Sequence, residues 1–189
     1  MKKYPGDPGT PGSVRPARPA DAHRIAHVQV ETWRTAYGGM LPASVLAELD
    51  VESAIEAWTA AIDMPPTPQH HVLVAVEPDA DEVVGFAALT PGSDSDTDPA
   101  TDAELAVLLV DAEHAHRGHG SRLLAASVDV WRADGRTRAL CWMLAQDDAL
   151  RGLLTAAGWG ADGSHRTLES GDSPEALRQI RLHTDLTES

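Results

Sequence analysis

The chain has 189 residues, 29 of them acidic and 15 basic, so its formal net charge is −14. This acidic balance argues against a nucleic-acid partner or an anionic membrane surface, because both bind through clustered lysine and arginine. Hydrophobic residues make up 42% of the chain, but no apolar run approaches the roughly 20 residues that span a bilayer. The single cysteine, Cys141, excludes a disulfide framework and lies in an apolar stretch, where we expect an inert core thiol.

Proline and glycine dominate the first part of the chain. Residues 1–12 hold three of each and show no hydrophobic period, so we expect a disordered leader there. This stretch begins with basic residues but has no apolar segment, which argues against a secretory signal. Residues 13–189 match the size of one domain, about 100–200 residues. The expectation is therefore a leader followed by a single cytoplasmic domain.

The hydrophobic periods after the leader alternate between those of helices and those of strands. Asp21 is a candidate N-cap for the first helix, and Asp147 or Asp148 for the last. In chain order we predict an extended segment 13–17, helices near 22–37, 42–49 and 51–62, strands 71–76, 83–89 and 104–110, a helix 121–133, a strand 139–145, a helix 149–157, and strands 166–169 and 177–183. Strand–helix–strand units with hairpins on either side predict an α/β fold, with a mixed, partly parallel sheet flanked by helices.

An acidic stretch separates two of the predicted strands. Residues 91–102 (PGSDSDTDPATD) contain four aspartates and two prolines. Such a composition breaks regular structure, so we expect a long, solvated loop between neighbouring strands.

Residues 105–124 (LAVLLVDAEHAHRGHGSRLL) carry the main chemical pattern. A buried strand enters a loop with Gly118 and Gly120, and the loop opens directly into a helix. Glycine lets backbone amides approach a ligand, and the start of a helix attracts anions. Residues 114–122 hold two arginines and three histidines but no acid, although helices prefer acids in the first turn. The pattern predicts a site for a polyphosphate-type anion; the alternative is an ordinary turn that glycine allows to bend.

This stretch resembles the acetyl-CoA motif of the GCN5-related N-acetyltransferase (GNAT) superfamily. Residues 115–120 (AHRGHG) match the pattern Gln/Arg-x-x-Gly-x-Gly/Ala, and residues 121–124 (SRLL) match the helix after it. Residues 14–21 resemble the opening of that family, and residues 153–159 (LLTAAGW) resemble its late motif. The resemblance implies a GNAT-like fold with a splayed central strand pair, and direct transfer of an acetyl group from acetyl-CoA to an amine.

The resemblance also implies which residues hold the co-substrate. Backbone groups of the splayed strand would bond the pantetheine arm, and loop amides would hold the pyrophosphate, with a charge-assisted contact from Arg117 or Arg122. The implied acetyl-CoA-binding residues are Leu108, Leu109, Val110, Ala115, His116, Arg117, Gly118, His119, Gly120, Ser121 and Arg122. The implied acceptor is a small-molecule or peptide amine, and no metal, nucleic acid or membrane partner is implied. Homodimers are common in the family, but nothing in the sequence decides this point.

Several positions depart from the family pattern. Ala112 stands where proline is frequent, Ala115 where glutamine or arginine is, and Asp147 where asparagine is. Leu154 stands where the family often has the tyrosine that protonates the leaving thiolate. A leucine cannot supply that proton, so an alternative function is a non-catalytic or weakly catalytic acyl-CoA-binding module.

Two residues are candidates for proton transfer. Glu104 lies on the central strand, where the family often keeps a carboxylate that acts as a base through water; the alternative is an exposed first residue of the strand. Tyr37 lies near the end of the first helical stretch, which borders the acceptor pocket in the family. It could act as an acid or form a wall of the pocket, but its helical spacing from Trp33 also fits a core position.

A remote alternative is a zinc-dependent hydrolase. His114, His116 and His119 resemble the His-x-His-x-Asp-His motif of the metallo-β-lactamase fold, and imidazoles at this spacing can bind zinc. Gly118 occupies the position of the aspartate in that motif, and Arg117 places a cation beside the metal. Both features argue against a metal, and the expected site contains none.

Overall fold

The computed structural model describes residues 12–39, 41, 43–77, 81–168 and 177–187. Residues 1–11 of the predicted leader lie outside this description. The strands are β1 (Ser13–Pro16), β2 (His71–Glu77), β3 (Glu82–Pro91), β4 (Asp102–Val110), β5 (Arg138–Leu144), β6 (Gly160–Leu168) and β7 (Leu177–Asp185). The helices are α1 (Ala22–Thr35), α2 (Ala43–Ala47), α3 (Val51–Asp63), α4 (His119–Ala133) and α5 (Asp148–Ala156). A short 3₁₀ turn at Pro19–Asp21 precedes α1, and a second at Ala112–His114 precedes the loop that leads into α4.

The strands form one seven-stranded sheet in the order β1-β2-β3-β4-β5-β7-β6. Strands β4 and β5 run parallel, and the other described strand pairs are antiparallel. Helix α4 makes the crossover between β4 and β5. The predicted α/β fold with a mixed, partly parallel sheet is therefore confirmed.

Each face of the sheet carries its own hydrophobic core. On one face, Leu123 and Trp131 of α4 pack with Leu154 of α5 against β3, β4 and β5. On the other face, Ile25 of α1 lies in a cluster with Phe86 of β3, against which α3 also packs. Helices therefore cover the sheet on both sides, as the near-continuous apolar character of β4 predicts. Within the described residues, none of the helices combines the length and hydrophobicity of a membrane span.

The parallel strands β4 and β5 separate soon after they meet. Their register has three pairs and ends where Glu104 faces Leu140, while β5 pairs with β7 along its whole length. On the other side of β4, Ala88 faces Val107 and Leu89 faces Leu105, so Ala106 is the extra residue of a β-bulge. A bulge bends its strand, and here it lies just beyond the last paired residues. The predicted splayed strand pair is confirmed.

Asp21 is the N-cap residue of α1, as predicted, but its side chain does not cap the helix. The Asp21 carboxylate accepts hydrogen bonds from the Arg18 amide (2.7 Å) and from the Arg15 guanidinium (2.6 and 3.0 Å), and it makes no cap bond to α1. The reason is the 3₁₀ turn before the helix, which gives Asp21 helical dihedral angles and directs its side chain backwards. The predicted cap of α5 is confirmed, because the Asp147 carboxylate accepts a hydrogen bond from the Leu150 amide at 2.9 Å.

Candidate active site

Residues 115–121, which run from the end of the β4–α4 connection into the first turn of α4, are called here the glycine loop. His116 has φ 60° and Gly118 has φ 80°, so two residues adopt left-handed backbone conformations on either side of Arg117. This conformation costs a residue with a Cβ atom about 1 kcal/mol, and glycine avoids the cost. Alternation of right- and left-handed residues turns successive amides toward one concave side, which is a common anion-binding geometry.

The backbone donors of this loop are free. Among the residues that the structure describes, none accepts a hydrogen bond from the amides of residues 116–121. Helix α4 begins at His119, so its first-turn amides and the positive end of its dipole add to this row. Six consecutive donors without an acceptor fit a diphosphate, which can accept several hydrogen bonds at once.

The charged side chains of the glycine loop make contacts within the protein. The Arg122 guanidinium donates to the Arg117 carbonyl at 3.0 Å and to His119 Nδ1 at 3.2 Å, and it lies beside Gly118. His119 is 2% exposed and its Nε2 lies 2.9 Å from a carboxylate oxygen of Glu77. The imidazole of His119 is therefore occupied, and only its amide remains free. Arg117 is 58% exposed and its nearest carboxylate, on Glu77, lies 3.8 Å away.

A cleft of about 750 Å³, called here the loop cavity, extends from the glycine loop into the gap between β4 and β5. It is lined by nine of the eleven predicted acetyl-CoA-binding residues: Leu108, Leu109, Val110, Ala115, His116, Gly118, His119, Gly120 and Ser121. Arg117 and Arg122 are absent from this lining. His114 also lines the cavity, and its Nδ1 is buried without a hydrogen-bond partner. The sequence indicated His114 as a member of the basic window 114–122 and as an alternative zinc ligand, but not as a residue with a buried, unpartnered nitrogen that lines this cavity.

A second cavity of about 440 Å³ lies next to the first, at the splayed ends of β4 and β5. We call it the tryptophan cavity, because Trp33 and Trp142 form two of its walls. Both cavities are lined by the same five residues where they meet: Tyr37, Leu108, Leu109, Asp147 and Leu150. Three of these are leucines, so Tyr37 and Asp147 are the described residues with exchangeable protons that line both cavities.

Tyr37 and Asp147 form a hydrogen-bonded pair at this junction. The Tyr37 hydroxyl donates to Asp147 Oδ2 at 2.5 Å, while Asp147 Oδ1 caps α5. Burial and the adjacent Asp147 carboxylate raise the pKa of the Tyr37 hydroxyl well above its ordinary value. The phenol therefore stays protonated at neutral pH and acts as a donor. The sequence indicated Tyr37 as a candidate but gave Asp147 only a capping role.

Glu104 lies at the closed end of the splay. It forms the last parallel pair with Leu140, is half-buried, and accepts a hydrogen bond from the Ser93 hydroxyl at 3.2 Å. Burial raises the pKa of the Glu104 carboxyl above its ordinary value. Glu104 lines neither of the two cavities, as far as the described residues go. A proton could reach Glu104 from the cavities only through intervening water.

A buried arginine anchors the acidic loop beside the tryptophan cavity. The Arg181 guanidinium is 4% exposed and contacts carboxylate oxygens of Asp94 (2.8 Å), Asp96 (2.5 Å) and Asp162 (2.7 Å). The indole of Trp142 donates to Asp94 at 2.7 Å, so the same network fixes a wall of the cavity. The predicted loop between neighbouring strands is confirmed and is mostly exposed, but its anchor could not be predicted, because Arg181 lies 85 to 87 residues further along the chain, where local composition gives no indication of it.

Two other predictions concern buried groups. Leu154, at the position of the family's frequent tyrosine, is fully buried and lines neither cavity among the residues described. Cys141 is 2% exposed, and burial raises the pKa of its thiol to about 12, which agrees with an inert core thiol.

The zinc alternative receives no geometric support. Within the described part of the chain, no group of three or more histidine, cysteine, aspartate or glutamate side chains is arranged to hold a metal ion. The rings of His114 and His119 lie 6.4 Å apart, and the latter contacts Glu77.

A splayed parallel strand pair, a glycine loop that opens a helix and two adjoining cavities at the splay define the N-acetyltransferase class of α/β fold. The family model described as acetyltransferase (GNAT) family matches residues 30–159, which is more than half of the chain. The chain therefore belongs to the GNAT family, and the resemblance seen in the sequence is confirmed.

Individual relatives are distant. The chain is 26% identical to the uncharacterized N-acetyltransferase YuaI of Bacillus subtilis (strain 168) over 138 residues, which are 73% of this chain and 75% of the relative. It is similar in fold to yncA of Salmonella typhimurium, solved with its cofactor acetyl-CoA, with a TM-score of 0.72, 19% identity, and coverage of 95% of this chain and 96% of that one. The PaiA N-acetyltransferase of Thermoplasma acidophilum, solved with coenzyme A, has a TM-score of 0.68 and 15% identity, covering 92% and 98%.

Proposed function

We propose that this protein is an N-acetyltransferase that moves an acetyl group directly from acetyl-CoA to an amine. The observation that carries the proposal is the row of amides without acceptors, residues 116–121, at the head of a cleft that leads into the splayed strands. The co-substrate supplies the acetyl thioester, and the protein supplies binding, orientation and proton transfer. Two structural neighbours, described with acetyl-CoA or coenzyme A, support this choice of co-substrate.

The residues of the loop cavity are suited to the parts of acetyl-CoA. The glycine-loop amides would hold the diphosphate, and Arg122 lies behind Gly118, where it adds positive charge. Beyond Glu104, β4 has no partner strand in β5, so backbone groups of residues 108–110 can bond the pantetheine amides. His114 Nδ1 is a further polar group that can contact the co-substrate.

The acceptor amine must lose its proton to become a nucleophile, and Asp147 is suited to accept it. Its carboxylate lies at the junction of the cavities, 6% exposed, and already accepts the Tyr37 hydroxyl. Tyr37 would hold that carboxylate in position with its single hydroxyl proton. Once Asp147 has taken the amine proton, Tyr37 would pass its own proton to the leaving thiolate and recover one from Asp147. This assignment keeps Tyr37 as a catalytic candidate, in the proton-donor role that Leu154 cannot fill, and adds Asp147 as the proton acceptor.

Glu104 remains a second candidate for the base, acting through water. A Glu104→Gln variant tests this role directly. If Glu104 is the base, the acidic limb of the rate profile disappears or moves in the variant; an unchanged pH–rate profile removes Glu104 from the mechanism. Because burial raises its pKa, the acidic limb due to Glu104 would lie above the pH expected for an ordinary glutamate.

The experiment that tests the proposed function has two readouts. Acetyl-CoA should raise the melting temperature of the protein at concentrations well above typical affinities. Thiol release from acetyl-CoA should then increase when amines are added. Stabilisation without amine-dependent thiol release would favour the acyl-CoA-binding module, and the absence of both would overturn the proposed function.

A further inference from the structure

We infer that the acceptor is a small primary amine with an apolar body and no acidic group, bound in the tryptophan cavity. The inference rests on the proposed function, since it names the substrate class of the same site. Its basis is the set of side chains that line this cavity, which the acetyl-CoA motif does not determine.

The walls of the tryptophan cavity are mainly apolar. Trp33 and Trp142 face it from α1 and β5, and Leu41, Leu168 and Leu177 complete the walls near the opening. A volume of about 440 Å³ lies within the range of small-molecule sites, roughly 300–1,000 Å³. Transfer of an apolar group into such a cavity is favourable, whereas a second charged group there would lose its hydration without a partner.

The charge of the lining is negative. Asp147 is the one charged side chain among the described residues that line this cavity, and the lining includes no lysine, arginine or histidine. A carboxylate or phosphate on the acceptor would therefore meet no counter-charge, while its ammonium form is attracted to Asp147.

The two arginines nearest to Trp142 already have partners. Arg181 is held by three aspartates, as described above. Arg166 stacks on the Trp142 ring, 4.3 Å from its centroid, and donates to the Gln179 side chain at 2.7 Å. Both guanidinium groups thus stabilise the outer side of the Trp142 wall, and neither lines the cavity among the residues described. The wall presents its apolar face to the acceptor.

Phenethylamine and phenylalanine provide a matched test, because they differ only by a carboxylate. We expect kcat/KM for phenethylamine to exceed that for phenylalanine and for spermidine by about tenfold or more, since each rival buries an unpaired charge. Isothermal titration with the protein alone should show saturable binding of phenethylamine and much weaker binding of phenylalanine. Preference for phenylalanine, spermidine or an alanine-initiated peptide would overturn the inference.

A charge introduced at the cavity should reverse this preference. Leu168→Arg places a cation on the lining at a residue that is 39% exposed, and we expect it to raise phenylalanine turnover relative to phenethylamine about tenfold. Met64→Arg is the control, because Met64 is 73% exposed and lies outside this lining. An unchanged ratio in Leu168→Arg would overturn the assignment of this cavity.

Failure of the inference and failure of the proposed function give different results. If only the inference is wrong, acetyl-CoA still stabilises the protein and thiol is released with a charged or peptide amine. If the proposed function is wrong, none of these amines releases thiol, whether or not acetyl-CoA stabilises the protein, and both proposals are removed.

Discussion

The two cavities that meet at the splay are built in different ways. The loop cavity takes about half of its lining, 11 of 21 residues, from the single stretch between Leu108 and Ser121, and its key donors are backbone amides. The tryptophan cavity is assembled from side chains of α1, α2, β4, β5, β6 and β7, and these are distant in sequence. A site made of local backbone tolerates side-chain changes, whereas a site made of distant side chains determines specificity and depends on tertiary packing.

The largest expected effect lies where the two cavities meet. Asp147→Asn should lower kcat about 10²–10³-fold, because asparagine cannot accept the amine proton. The Kd for acetyl-CoA should change less than about twofold, since asparagine retains the cap of α5. Steady-state kinetics and titration calorimetry measure the two effects.

Asp129→Asn is the control, because Asp129 is exposed on α4 and, among the residues described, lines neither cavity. It should leave kcat within about twofold of the parent. If Asp147→Asn also retains the parent kcat, Asp147 is not the proton acceptor and its role is confined to the cap.

The second effect concerns the support of the tryptophan cavity. Arg181→Met should lower the free energy of unfolding by about 3 kcal/mol, because it leaves buried or partly buried aspartates without their counter-charge. The exposed Arg34, which donates to the Leu49 carbonyl at 2.8 Å, is the control, and Arg34→Met should cost less than about 1 kcal/mol.

Urea denaturation measures both values. If the Arg181 network supports only the tryptophan cavity, Arg181→Met should also raise KM for the amine while KM for acetyl-CoA stays the same. Equal changes in both KM values would show that the network supports the whole sheet and not one cavity.

The third effect separates backbone strain from ligand binding on the loop side. Gly118 and Gly135 lie at opposite ends of α4, with φ of 80° and 74°. Alanine at either position should cost about 1–2 kcal/mol of stability. Only Gly118→Ala should also weaken acetyl-CoA binding, by about tenfold, because the strained loop loses the orientation of its amides. Equal affinities in the two variants would contradict the role of the glycine loop.

The smallest effect concerns Glu104 and pH. Its folded-state pKa is raised by burial, so its contribution to stability is present below the ordinary glutamate pKa and is lost as pH rises through the raised value. Glu104→Gln should therefore gain stability relative to the parent at about pH 7.5, by less than about 1 kcal/mol, and lose that advantage near about pH 4. Urea denaturation at both pH values checks the sign, and an advantage only at low pH would contradict it.

Much of the fold could be predicted because its elements follow local hydrophobic periods. Prediction of an element's bounds fails where contacts with distant parts of the chain, and not local sequence, determine them. The sequence predicts β6 only from residue 166, yet the strand starts at Gly160, because Gly160 and Ala161 pair with β7 before an irregularity in the register that ends at His165. Helix α4 starts two residues before the predicted Ser121, since Gly118 acts as its N-cap through backbone conformation and has no capping side chain.

The candidate site, too, could be predicted from the sequence only in part. The glycine loop could be found from the sequence because its glycines, its basic residues and the start of the helix are contiguous. The hydrogen bond between Tyr37 and Asp147 joins residues 110 positions apart, and no local pattern indicates such a pair. Apart from Tyr37, most residues that line the tryptophan cavity could not be predicted for the same reason.

The most direct test of the central claim follows the amides of the glycine loop during a titration with acetyl-CoA. In ¹H–¹⁵N correlation spectra, the account predicts saturable shifts of the amides of residues 116–121, larger than those of the amides at the start of α3 (Val51–Asp63). Acetyl-CoA binding that leaves the loop amides unchanged, or that perturbs another surface instead, would contradict it.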